Sequence, residues 1–141
     1  QGCYTIAIAC NADSSVSREA ELAITPIVGP EVISGSTRLK AGTATKMVLN
    51  MLSTGAMVRI GKTYGNLMVD LRATNSKLQD RSRRIVETLV GVDEQTAGEI
   101  LARCSGELKT AIVVGRTTCT PDEARARLER AGDQVRGAIG Q

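Results

Sequence analysis

The chain has 141 residues, 42% of them hydrophobic and 23% charged, with a net charge of +3. That balance is typical of a folded globular protein and excludes wholesale disorder. Two Tyr, with no Phe and no Trp, leave an aliphatic core and argue against nucleic-acid binding by base stacking on aromatic side chains.

His is absent, which removes the commonest general base and the commonest metal ligand; no metal site and no cofactor is expected. Cys3, Cys10, Cys104 and Cys119 show no CxxC spacing. With no secretory apolar region beside them, they are expected to be reduced, mostly buried thiols of a cytoplasmic protein. No apolar run approaches the roughly 18 residues of a membrane span, so no membrane partner is expected. The cations crowd between Arg59 and Arg84, where Asp70 and Asp80 are the only acids. This pattern suits either a phosphorylated small molecule or a solvated face.

In chain order, "YTIAIAC" (Tyr4–Cys10) reads as a strand covered on both faces. "NADSSVS" (11–17) is a polar turn, with a short helical piece around Ser17–Glu21 and Ser17 as its cap. Leu22–Val28 is a second strand, closed by Gly29-Pro30; the order predicts a parallel β–α–β step with a short crossover. Two strands cannot by themselves form a stable parallel sheet covered on both faces. The chain is therefore expected to be the C-terminal part of a larger α/β domain.

"GPEVISGSTRLKAGTATK" (29–46) places the hydroxyls Ser34, Ser36 and Thr37 beside Arg38 and Lys40. A helical pattern then runs from about Thr37 to Ile60, with Ser36 as cap and Gly61 as its stop. Its apolar residues cover most of the circumference, which predicts a buried helix. Ala41, Gly42 and Ala44 predict a close backbone approach near its start. Hydroxyls at a helix N-terminus after a strand end make either an anion site or an ordinary cap with flanking cations. Glu31, just after the strand, is a candidate ligand contact rather than a catalyst.

Residues 63–75 read as extended or irregular. A second helix starts near Thr74–Ser76, where Ser76 and Gln79 have capping-box spacing, and ends at Gly91. Leu78, Ile85, Val86 and Leu89 form its apolar stripe. Lys77 and Arg81 fall i, i+4 on one face near its positive end, either flanking an anion or simply solvated. Residues 92–141 hold an internal repeat: "EILARCSGELKTAI" (99–112) and "ARLERAGDQVRGAI" (126–139) align without gaps, each as helix, tight turn, helix. Such a module has a thin core and is expected to dock on the preceding part. No helix in it carries the basic face a DNA-reading helix-turn-helix would need.

"GPEVISGSTRLKAGTATKMVLNMLSTGAM", followed by "GNLMVDLRATNSKL", resembles the C-terminal half of the N-acetylmuramic acid 6-phosphate etherases. The first stretch is similar to the signature those enzymes share with the glucokinase regulatory protein, both built on the sugar isomerase (SIS) domain. The resemblance implies an α/β fold: residues 1–91 as the C-terminal part of a three-layer, parallel-sheet SIS domain, and 92–141 as a small helical module similar to ubiquitin-associated (UBA) bundles. It implies a cytoplasmic, homodimeric lyase of peptidoglycan recycling. That enzyme cleaves the D-lactyl ether of N-acetylmuramic acid 6-phosphate by eliminating lactate and adding water, without metal or redox cofactor. The acid–base glutamates of the family lie upstream of the matched region, so no catalytic residue carries over. Substrate contacts do: Ser36, Thr37 and Arg38 of the signature with Glu31 nearby, and Lys77 and Arg81 of the "TNSKLQDR" helix. The alternative is a non-catalytic sugar-phosphate regulator of the same family. A sugar-phosphate isomerase is disfavoured, because that branch does not share the long signature.

Overall fold

The computed structural model describes residues 2–141. It is a mixed α/β structure in two compact units, one ending at Gly55 and one spanning Ala56–Gln141.

In the first unit, β1 (Ile6–Ile8) and β2 (Leu22–Ile24) pair in parallel, Ile6 opposite Leu22 and Ile8 opposite Ile24. The short crossover between them is α1 (Ser15–Glu19), as expected. Its cap is Ser14, whose side chain accepts from the Ser17 amide, so the expected cap at Ser17 lies one turn too far along. The strands are three residues long rather than seven, and each hydrogen-bonds along one edge only. After β2 the chain loops back to α2 (Lys40–Arg59), and the unit boundary falls within that helix.

The expectation that α2 is buried is not met. Val48 is its only buried residue, while Met47, Leu49, Met51 and Leu52 are exposed. Two three-residue strands offer a patch about 10 Å on a side, whereas a 20-residue helix is about 30 Å long. An apolar pattern reports a capacity for burial, and the partner surface decides how much of it is used. Near its start the small residues do what was expected: a Cβ at Gly42 would stand 3.3 Å from the Thr37 carbonyl oxygen.

The second unit opens with the end of α2. Gly61 takes φ +77°, its N–H donates to Val58 and that of Lys62 to Met57, a Schellman stop. The stretch read as extended contains an antiparallel hairpin, β3 (Thr63–Tyr64) and β4 (Leu67–Met68), turned by Gly65-Asn66. α3 (Ser76–Val86) is capped by Asn75, whose side chain accepts from Leu78 N–H, not by Ser76. A π-helical turn, Glu87–Gly91, extends it to the glycine stop.

Then come α4 (Glu94–Arg103), α5 (Leu108–Thr117), α6 (Pro121–Arg130) and α7 (Val135–Ala138). The repeat holds down to single hydrogen bonds. The turns Ser105-Gly106 and Gly132-Asp133 both take positive φ, and the amides of Gly106 and Asp133 donate to Leu101 and Leu128, 27 residues apart in each case. Val69, Ile85 and Val86 join Ala97, Leu108, Ile112 and Val135 in one aliphatic core. The helical module is thus docked on the preceding segment. The expectation of mostly buried thiols is not met, since Cys104 is buried, Cys10 and Cys119 are half-buried and Cys3 is exposed. Among the described residues no helix is long and apolar enough to cross a membrane.

Candidate functional site

In parallel α/β units, ligands favour the loops at the carboxyl ends of the strands. The first unit has such a loop, residues 29–39, entered through Gly29 at φ +68°. Its far end is held by the strand side: Cys10, just past β1, donates its thiol to Ala41 O at 3.6 Å and lies 3.7 Å from Thr45 Oγ1.

Inside the loop, Ser36 N–H donates to Ile33 O, Thr37 N–H to Gly35 O and Leu39 N–H to Ser36 O, a chain of tight turns with Gly35 at φ +81°. Ser36 is half-buried, while Thr37 and Arg38 are exposed. Their side chains make no hydrogen bond or ion pair among the described residues. The ammonium of Lys40 folds back over Gly29, 3.9 Å from where a Cβ would sit.

The carboxylate of Glu31 meets the start of α2. Its Oε2 accepts from Lys40 N–H at 2.9 Å and its Oε1 from Ala41 N–H at 3.0 Å. The amide of Ala41, then that of Lys40, holds the carboxyl below the ordinary glutamate value. Ser36 does not cap α2; the carboxylate nine residues upstream of Lys40 does.

Lys77 and Arg81 lie in the second unit, in the first turns of α3, both exposed and without an ion pair among the described residues. The neighbouring Arg83 is engaged, at 2.7 Å from Asp80 and 3.1 Å from Glu94.

The second unit also holds a cleft of about 640 Å³ that the sequence reading did not anticipate. Val69–Arg72, the start of α5 and residues of α6 line it. Lys109 is buried there, its side chain 7% exposed, donating to Asp133 O and Oδ2 at 3.0 Å and lying 3.5 Å from Asp70 Oδ1. Burial pushes the Asp70 carboxyl up, but the hydrogen bond from Lys62 and the charge of Lys109 outweigh it and hold it below its ordinary value. Across the cleft Arg125 binds Glu107 at 2.8 Å, lowering the Glu107 carboxyl with help from the Thr110 hydroxyl. These charges neutralise one another in pairs, so the cleft is cross-braced. The legible signal was Lys109 itself, a lone charge in the apolar run Leu108–Val114, which is buried only when paired.

A family model described as the C-terminal lid domain of glucokinase regulatory protein matches residues 65–109. The N-acetylmuramic acid 6-phosphate etherase of Mycolicibacterium smegmatis is 60% identical over 139 residues, 99% of this chain and 47% of the relative. Those of Rhodopirellula baltica (56%, covering 90% of this chain and 42% of the relative) and Rubrobacter xylanophilus (53%, 100% and 46%) agree. The chain is related to the N-acetylmuramic acid 6-phosphate etherases. The resemblance read from the signature is borne out at this level, and the chain spans about half the length of the curated relatives it matches.

Proposed function

We propose that the chain is the sugar-phosphate-holding part of an N-acetylmuramic acid 6-phosphate etherase. That enzyme is a cytoplasmic lyase releasing D-lactate from the 3-O-lactyl ether and leaving N-acetylglucosamine 6-phosphate. The observation that carries this reading is 60% identity to a protein of that name along 99% of the chain. In this proposal residues 1–91 are the C-terminal part of a SIS domain and 92–141 a UBA-like module. The acid–base carboxylates lie in sequence outside these 141 residues, and the protein works as a homodimer or with its complementary half.

The signature loop supplies Ser36, Thr37 and Arg38. Two hydroxyls and a guanidinium, unpartnered among the described residues, suit a phosphate or a sugar hydroxyl through charge-assisted bonds. Lys77 and Arg81 are proposed as a further contact. Two cations at the positive end of α3 disfavour the helix unless an anion joins them.

A second reading, a non-catalytic sugar-phosphate regulator, is favoured by the match of residues 65–109 to the lid domain of the glucokinase regulatory protein. Two measurements separate the readings. The 141-residue chain should release no lactate from N-acetylmuramic acid 6-phosphate yet bind N-acetylglucosamine 6-phosphate by calorimetry, with weaker binding in Arg38→Ala and Lys77→Ala. The longer parent protein should release lactate. A parent that binds the sugar phosphate without turnover would favour the regulator, and a chain and parent that bind nothing would defeat both readings.

A further inference from the structure

We propose that Glu31 is a positioning residue: its carboxylate clamps residues 31–40 onto the first turn of α2 and removes that helix terminus from ligand binding, leaving an anion to Ser36, Thr37 and Arg38. What the loop holds rests on the sugar-phosphate reading above; the clamp itself does not.

The free amides of a helix N-terminus normally need outside acceptors and attract anions. In α2 all four first-turn amides have acceptors within the chain. Lys40 and Ala41 donate to the two oxygens of Glu31 at 2.9 and 3.0 Å. Gly42 donates to Thr37 O at 2.8 Å and Thr43 to Leu39 O at 3.0 Å. The negative charge that the helix dipole favours is also supplied from within, by the same carboxylate. A phosphate arriving at this terminus would have to expel Glu31 and then meet its charge. The side chains of Ser36, Thr37 and Arg38 carry no such commitments among the described residues.

The clamp also sets the loop's shape. Glu31 follows the rigid Gly29-Pro30 entry, so fixing its side chain on Lys40 and Ala41 closes both ends of the segment. The tight turns at Ile33–Ser36 and Ser36–Leu39 then aim three consecutive side chains from a defined base. Gly42 completes the fit, since Thr37 O sits where a larger residue would crowd it.

Amide spectroscopy of the isotope-labelled 141-residue chain tests both parts, using wild type, E31Q and E31A. In wild type the amide protons of Lys40 and Ala41 should titrate together, with a midpoint below the ordinary glutamate value, and this titration should vanish in E31Q. Amide exchange at both positions should quicken by roughly fivefold to tenfold in E31A, the usual worth of a cap, with E31Q between. Lys40 and Ala41 amides that ignore the titration of Glu31 would overturn the clamp. With inorganic phosphate and N-acetylglucosamine 6-phosphate as probes, the responses should centre on Ser36–Arg38 and weaken in both variants. Tighter binding in E31Q, with the largest response at Lys40 and Ala41, would show Glu31 to be a displaceable competitor and overturn the positioning role. A wild-type loop that answers neither probe defeats the sugar-phosphate assignment, while the titration still decides the clamp.

Discussion

Replacing Gly61 by alanine tests how the end of α2 meets the second copy of the helical repeat. A Cβ at Gly61 would stand 2.7 Å from Asp133 O, 3.1 Å from its carbonyl carbon and 3.2 Å from Gln134 Cγ. The φ of +77° costs an alanine about 1–2 kcal/mol by itself. The clash adds to this, because Asp133 O is backbone in a tight turn and already accepts the buried Lys109 ammonium at 3.0 Å. Moving that oxygen away loosens a charged hydrogen bond worth about 1.5–3 kcal/mol. The expected total is about 2.5–5 kcal/mol. Gly91→Ala is the matched control, a helix stop at φ +81° with nothing within 4 Å, and should cost only the left-handed part. Urea unfolding followed by helical circular dichroism measures both. Agreement of the two variants to within about 0.5 kcal/mol would refute the close approach.

Gly115→Ala in α5 puts a Cβ 2.6 and 2.7 Å from the two Val90 methyls. Overpacking of about 1–3 kcal/mol should exceed the helix-propensity gain of about 1 kcal/mol, and Val90→Ala in the same chain should restore the lost stability. Thr120→Ala removes half of the capping box of α6, in which Thr120 and Glu123 exchange hydrogen bonds, and should lower the unfolding free energy by about 1 kcal/mol. Acid should destabilise the fold. Asp70, Asp93, Glu107 and Glu123 all have carboxyls held below the ordinary values of 3.8 and 4.5, so the stability they contribute is present above those values and lost as pH falls through the lowered ones. Urea midpoints should hold from neutrality to about pH 5 and fall below about pH 4; a flat profile down to about pH 3 would contradict these pairings.

Much of the architecture was legible because it is written in local terms. Apolar runs bounded by Gly and Pro marked β1, β2 and the stops at Gly61 and Gly91. The 27-residue repeat predicted two helix–turn–helix copies that match to the hydrogen bonds of Gly106 and Asp133. Caps were less legible, because Ser14, Ser17, Asn75 and Ser76 are chemically equivalent candidates within a turn of one another. Only the backbone path selects Ser14 and Asn75. The start of α2 was misread for a related reason: its cap is nine residues upstream, beyond any local motif. Among the candidate site residues, the sequence grouped Ser36, Thr37 and Arg38 because they are contiguous, and it placed Lys77 and Arg81 on one helix face because i and i+4 coincide there.

By itself the sequence determined the helices and the first two strands in their order, the repeat and the resemblance carried by the signature, since all of these depend on neighbours along the chain. Tertiary structure decided what each polar group does. It set Glu31 as the cap of α2, buried Lys109 between Asp70 and Asp133, and left most of α2's apolar surface uncovered. The physical reason is common to the three. A hydrogen bond, an ion pair and a buried face each need a partner brought from elsewhere in the chain, and the identity of that partner is set by the path of the backbone through space.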